Sequence, residues 1–468
     1  MRAHIVTIAV LSLIPKTFTW TSDSLNCTGL SQGVLKEIRG YAPTAKRIID
    51  HVLSGPGRGK TYDDLALFVD KFGHRLTGSE SLENSIDYMV DLLERKNLSM
   101  VWTENVTVTP WVRGTEVAWM TKPRKKYLNI LGLGGSIATG QRGITGRVHV
   151  VSTFEELNQT ASEACGKIVL LNAPFVKYSE TVVYRYQSAA AASRAGALAV
   201  LIRSISPFSI DSPHTGIMEY EEGIKKIPAA ALSIEDAELI ERISKRGETV
   251  EVHLYMEAAL KSQTVSRNTI ADIRGREKPD ELVLVSGHLD SWDVGQGAMD
   301  DGGGAFISWR ALETLRELDL TPRRTLRVVL WTSEEQGLIG AKAYFDAHSK
   351  EPYSIVMESD HGTFKPLGLT FSGNSTDAQC IVREVVFLMD SMNATELVEG
   401  DTTPDLKYFV EAGVPGAGLH NENDKYFYFH HSQGDTMTVL NSTELDMCTA
   451  LWTVSSYVFA DMSIMLPR

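Results

Sequence analysis

From Asn268 onward, short apolar runs alternate with longer helical patterns, and this alternation narrows the possible folds more than any other feature. Residues 282–286, 326–331 and 355–357 read as strands too apolar to face water on either side. Residues 305–318, 338–348 and 380–392 between and after them read as helices. Strands alternating with helices call for parallel pairing through crossover connections. The expected class is therefore α/β, with a mostly parallel mixed sheet flanked by helices. Ligands of such sheets bind beyond the carboxyl ends of the strands, so the residues that follow each strand are the ones to inspect.

Those residues carry the chemistry. After 282–286 come Gly287-His288-Leu289-Asp290 and then Asp300-Asp301-Gly302. After 326–331 come Thr332-Ser333-Glu334-Glu335, and after 355–357 come Glu358-Ser359-Asp360. His430-His431-Ser432 lies near the C-terminus. Singly, each has a bland reading. Adjacent glutamates commonly begin a solvated helix, Asp-Asp-Gly commonly forms a turn, and a histidine after a strand is usually structural. Their shared placement after strands favours a common site. Histidine and carboxylate donors without thiolates suit catalytic zinc. A pair of zinc ions about 3.5–4 Å apart needs a bridging carboxylate and two terminal ligands each. His288, Asp300, Glu335, Asp360 and His431 supply that count. Glu334 remains as a metal-free base, since adjacent side chains point in different directions.

The rest of the chain sets the context. A length of 468 residues suggests two or three domains, and a net charge of −13 argues against nucleic-acid binding. The one compact basic run, Arg124-Lys125-Lys126, reads as a solvated loop. Residues 1–20 have a basic start and a short apolar run, the pattern of a signal peptide. No run is long enough to span a membrane. Sequons at Asn26, Asn97, Asn105, Asn158, Asn374, Asn393 and Asn441 agree with secretion and glycosylation. Cys27, Cys165, Cys380 and Cys448 are too few and too scattered for a disulfide scaffold. Residues 21–44 are polar and weakly patterned, as a propeptide can be. Helices are expected from Thr61 to Phe72 and from Glu80 to Arg95, then a strand over 101–109. Residues 115–262 consist of short strands punctuated by glycines and read as an inserted β-rich domain. They divide a catalytic domain into 45–114 and 263–468.

The run from His288 to Gly304, with Ser333-Glu334-Glu335-Gln336-Gly337-Leu338 and His431-Ser432-x-x-Asp435-Thr436, closely resembles the co-catalytic zinc aminopeptidase and glutamate carboxypeptidase family. Arg75-Leu76-Thr77-Gly78-Ser79 matches its N-terminal region. The resemblance implies a zinc-exopeptidase fold with a protease-associated insert. It implies two Zn2+, one bound by His288 and Asp360, the other by Glu335 and His431, with Asp300 bridging. Glu334 would be the general base, and Asp290 would orient His288 through its second ring nitrogen. The Asp300-Asp301 peptide would be cis. Only His431 has the family register; His430 would line the pocket or simply pack. The resemblance also implies a propeptide-bearing zymogen and a homodimer. The destination would be secretion or the lysosome, through the ER and Golgi.

The expected activity is hydrolysis of small peptides, dipeptides with free termini foremost, in a carboxypeptidase or dipeptidase mode. Aminopeptidase action on short peptides is the nearest alternative. A non-catalytic scaffold of the transferrin-receptor type is a distant one, and the complete ligand set opposes it.

Overall fold

The computed structural model describes residues 27, 29–96, 98, 100–400 and 403–468. The expected signal segment, Asn26 and Asn97 lie outside the described residues. The framework is an eight-stranded mixed sheet. Its four central strands, Arg324–Trp331, Lys278–His288, Tyr353–Glu358 and Gly416–Asn421, pair in parallel in that order. Antiparallel strands flank them: Thr264–Ile273 and Met100–Val108 on one side, Pro366–Ser372 on the other, with Glu396–Glu399 at the far edge.

Alternation along the central strands sends side chains into two separate cores. Val283, Val285, Val328 and Met357 pack with helices Gly303–Glu317 and Ser442–Asp461. Leu282, Leu284, Val329 and Val356 pack on the opposite face with Ala341, Tyr344 and Phe409. Both faces are covered, as near-continuous apolar strands require. The expected strands and helices of this region are present, each a few residues longer or shifted. The segment 380–392 is the exception: it is helix Thr376–Val386 followed by a tighter 3-10 turn, Phe387–Met392.

The N-terminal region departs from the reading of 21–44 as weakly patterned. Helices Gln32–Gly40 and Ala42–Leu53 precede Thr61, burying Leu35, Ile38, Ala45, Ile48, Ile49 and Val52 in the main core. Cys27 forms a disulfide with Cys380, and Arg39 pairs with Glu384 at 2.9 Å. The boundary expected at 44/45 falls inside the second of these helices. Helices Lys60–Phe72 and Glu80–Arg95 follow.

Residues 116–256 contribute a second eight-stranded sheet, from Lys126–Leu128 at one edge to Ile130–Gly132 at the other. Among the described residues no helix is long and apolar enough to cross a membrane. Asn105, Asn158, Asn374, Asn393 and Asn441 are all exposed.

Away from the strand ends, His348 bridges two elements. Its Nε2 lies 2.9 Å from Glu104, and its Nδ1 lies 3.2 Å from Glu351. Those hydrogen bonds raise its pKa to about 9. A raised folded-state pKa stabilises fully below the unfolded value, about 6.5, and that contribution disappears as pH climbs through 9. We expect about 1–2 kcal/mol of unfolding free energy to be lost across this window, after solvent screening. Denaturant titrations at pH 6.5 and 9.5 test this, and His348→Gln should flatten the difference.

Candidate metal centre

The register of the central strands places the site. His288 pairs with Trp331, and Ser286 with Glu358, so the three strands end level. His288 closes one strand, Glu334 and Glu335 follow the second by a short loop, and Asp360 follows the third. Asp300 arrives from the connection into helix Gly303–Glu317. A Cβ at Gly304 would collide with the Ser359 carbonyl oxygen, so glycine lets this connection lie directly against the strand ends. The Asp300-Asp301 peptide is cis.

The predicted site residues come together. His288 Nε2 lies 3.2 Å from Asp360 Oδ1, 3.3 Å from Asp300 Oδ1 and 3.8 Å from Glu334 Oε2. His431 Nε2 lies 2.9 Å from Glu335 Oε2 and 3.4 Å from Asp300 Oδ2. Asp300 is thus shared: its donor atoms group with those of His288 and Asp360, and separately with those of His430 and His431. His430 stands closer to the site than the sequence suggested. Its ring stacks on His431 with centroids 3.5 Å apart, and its Nε2 lies 3.6 Å from Asp300 Oδ2.

The electrostatics are those of a crowded anionic pocket. Burial raises the Glu334 pKa well above the ordinary carboxylate value, with the Asp360 charge adding to it. Burial and then the Asp300 charge do the same for Glu335. Burial would lower His288, but hydrogen bonds to Asp300 and Asp360 hold it well above its usual value. Burial pushes His431 down to about 3, so it is neutral with an available lone pair. Asp300 Oδ2 is buried and accepts no hydrogen bond. A buried anionic oxygen without a partner is costly, and a cation between it, the imidazoles and the other carboxylates would compensate it. The donor set therefore fits zinc.

The surrounding groups fix these donors. His288 Nδ1–H donates to the backbone carbonyl of Asp290 at 2.9 Å. The Asp290 carboxylate, expected to hold that nitrogen, stands 3.7 Å away. It instead accepts the backbone N–H groups of Glu334 and Glu335 at 3.0 and 3.3 Å and the Thr77 hydroxyl at 3.2 Å. Asp290 thus holds the glutamate loop with its side chain and His288 with its backbone. Sequence reasoning gave no role to Asp435, whose carboxylate accepts the N–H groups of Ala298, Met299 and Asp300. It also passed over Arg75, fully buried and donating to the carbonyls of Gly73, Leu289, Gln296 and Gly297. Both lie in the quoted motifs, which was the available signal.

Above the donors is a cavity of ≈ 220 Å³. Its floor is Asp300, Glu334, Glu335, Asp360 and His431, and Tyr426 and Phe427 stand beside them. Tyr178, Arg185, Tyr186 and Ile217, from the second sheet's layer, form the opposite wall.

Comparison with known proteins places this geometry. The sequence model of peptidase family M28 matches residues 268–455. Carboxypeptidase Q of Xenopus laevis is 51% identical over 434 residues, 92% of each chain. Carboxypeptidase Q of Homo sapiens is 50% identical over 437 residues, 93% of this chain and 92% of that one. A crystal structure of a peptidase M28 precursor from Shewanella amazonensis superposes with a TM-score of 0.87 at 32% identity, covering 92% of this chain and 99% of that one. The chain belongs to peptidase family M28, alongside the carboxypeptidase Q proteins.

Proposed function

We propose that this chain is a di-zinc metallo-exopeptidase that hydrolyses small peptides, dipeptides with free termini foremost. The observation that carries this reading is the sharing of Asp300 between two donor groups at the edge of a small, walled cavity. In this reading His288 and Asp360 would hold one zinc, Glu335 and His431 the other, and the Asp300 carboxylate would be shared between them, with His430 stacked on His431 beside the second set. Bound zinc supplies a Lewis acid that acidifies water and polarises a carbonyl. Glu334, beside the donors and bound to none of the terminal positions, takes the proton of the attacking water and delivers it to the leaving amine.

The wider reading is of a secreted glycoprotein zymogen, with a signal segment at 1–20, a propeptide at 21–44 and an insert at 115–262. It would form a homodimer and reach the extracellular space or lysosome. Five exposed sequon asparagines support the glycoprotein reading, and the carboxypeptidase Q relatives support the choice of carboxypeptidase over aminopeptidase mode.

The test is hydrolysis of a free dipeptide, its N-acetylated form and its C-terminal amide, each with and without a zinc chelator. Chelation should lower cleavage of the free dipeptide at least ~100-fold, and added zinc should restore it. Cleavage of the acetylated form would mark a carboxypeptidase, and of the amide an aminopeptidase. No cleavage of any form by mature, zinc-loaded protein would sink the enzymatic reading and leave a binding scaffold.

A further inference from the structure

The loop that carries His431 is fastened by the second sheet's layer as well as by the catalytic domain, where the Tyr426 hydroxyl donates to the Asp360 carbonyl at 3.0 Å. The Ser206 hydroxyl lies 2.6 Å from the Phe208 carbonyl and 2.8 Å from the Phe427 carbonyl, sharing its one proton between them. His214 Nδ1–H donates to the His430 carbonyl at 2.6 Å. The Thr215 N–H donates to the His431 carbonyl at 2.9 Å, and His431 Nδ1–H donates back to the Thr215 carbonyl at 3.2 Å. Tyr178 stacks on Phe427 and Phe208 on Tyr428 over the same stretch.

We infer that His214 and Thr215 are positioning residues for His431, so that zinc affinity at this ligand depends on the inserted layer. Three observations carry this. First, the Thr215 carbonyl accepts a hydrogen bond from His431 Nδ1–H, which leaves the Nε2 lone pair directed at Glu335 and Asp300. A hydrogen bond to the far nitrogen is what orients a ligating imidazole. Second, His431 has φ 59°, a left-handed conformation that a side-chain-bearing residue holds only when its surroundings impose it. The carbonyls on both sides of that strained Cα are the ones clamped, by His214 and Thr215. Third, the clamp is itself rigid. His214 is buried, and its N–H donates to Ser204 Oγ at 2.9 Å. Thr215 Oγ1 donates to the Gly132 carbonyl at 2.8 Å. Burial lowers the His214 pKa to about 4, so its imidazole is neutral near pH 7. The insert is then a working part of the metal centre and does more than wall the cavity.

The inference rests on the reading of His431 as a zinc ligand, and the experiment separates the two. Zinc is withdrawn from the full-length secreted protein with a chromogenic chelator of known affinity, for the parent, His431→Ala, His214→Leu and His214→Asn. His214→Leu keeps bulk and removes the donor; His214→Asn keeps a donor at the Nδ1 position. The expected result is a zinc Kd raised about 10–100-fold for His214→Leu, as for other groups that orient a ligand, and mostly restored in His214→Asn. The metal-free melting temperatures of these two variants should match each other. If His431→Ala binds zinc like the parent, the ligand reading itself fails. If His431→Ala loses zinc while His214→Leu keeps the parental Kd, only the positioning role is overturned. Should His214→Leu not fold, His214→Met, which also keeps bulk and removes the donor, takes its place. A raised zinc Kd there supports the clamp, and an unchanged one overturns it.

Discussion

Glu334→Gln is expected to keep its zinc and lose about 10³-fold or more in kcat with little change in KM. Glutamine has the same shape and cannot take a proton. The backbone at this position does not depend on the carboxylate: the Glu334 and Glu335 N–H groups are both held by Asp290. The side chain lines the cavity, 3.8 Å from His288 Nε2, so the substitution alters one reactive group and little else. Zinc per chain by mass spectrometry and steady-state hydrolysis of a free dipeptide measure the two halves of the expectation. A variant with near-parental kcat would show that another group carries the proton.

The catalytic end of this fold was legible because two signals coincide there. Buried parallel strands must be apolar on both faces, so their ends are visible in the sequence, and the binding of ligands beyond the carboxyl ends of such strands then selects the residues that follow. His288, Glu334, Glu335 and Asp360 were found in this way. Asp300 sits in a longer connection and was found through its motif. What could not be read there had weaker or no side-chain signal. The spacing of Ala45, Ile48, Ile49 and Val52 is helical, but the polar stretch before it hides the helix start. The pairing of Cys27 with Cys380 spans 353 residues, and cysteine spacing does not determine connectivity.

Backbone acceptors leave no trace in a sequence at all. Asp290 was expected to meet His288 through its carboxylate, since a carboxylate near a ligand histidine is a familiar arrangement. The carbonyl of the same residue does so, because the chain turns there and frees the carboxylate for the glutamate loop. Thr215 reaches His431 through its carbonyl from 216 positions away. Nothing in Ser212-Pro213-His214-Thr215-Gly216 announces that contact. The donor side chains could thus be read from the sequence, whereas the backbone carbonyls that orient His288 and His431 could not.

Asp300→Asn is expected to have the second large effect, and it tests the sharing that the proposed mechanism depends on. An amide offers one acceptor oxygen and turns the other position into a donor, so it cannot bridge two cations. The loop should survive the change, because Asp435 holds it through the N–H groups of Ala298, Met299 and Asp300. The substitution also removes a charge that pushes up the Glu335 pKa and a partner that holds up His288. These act in opposite directions on the metal-free protein. The zinc-dependent increment should change greatly. A ligand that binds only the folded chain adds about 4 kcal/mol at a thousandfold excess over Kd, and the variant should retain under about 1 kcal/mol of that at the same zinc concentration. Activity should fall at least ~10³-fold. Denaturant unfolding with and without zinc, paired with metal content, reads both quantities. Two zinc ions per chain and parental turnover in Asp300→Asn would remove the bridge, and with it the assignment of His288 and His431 to neighbouring ions.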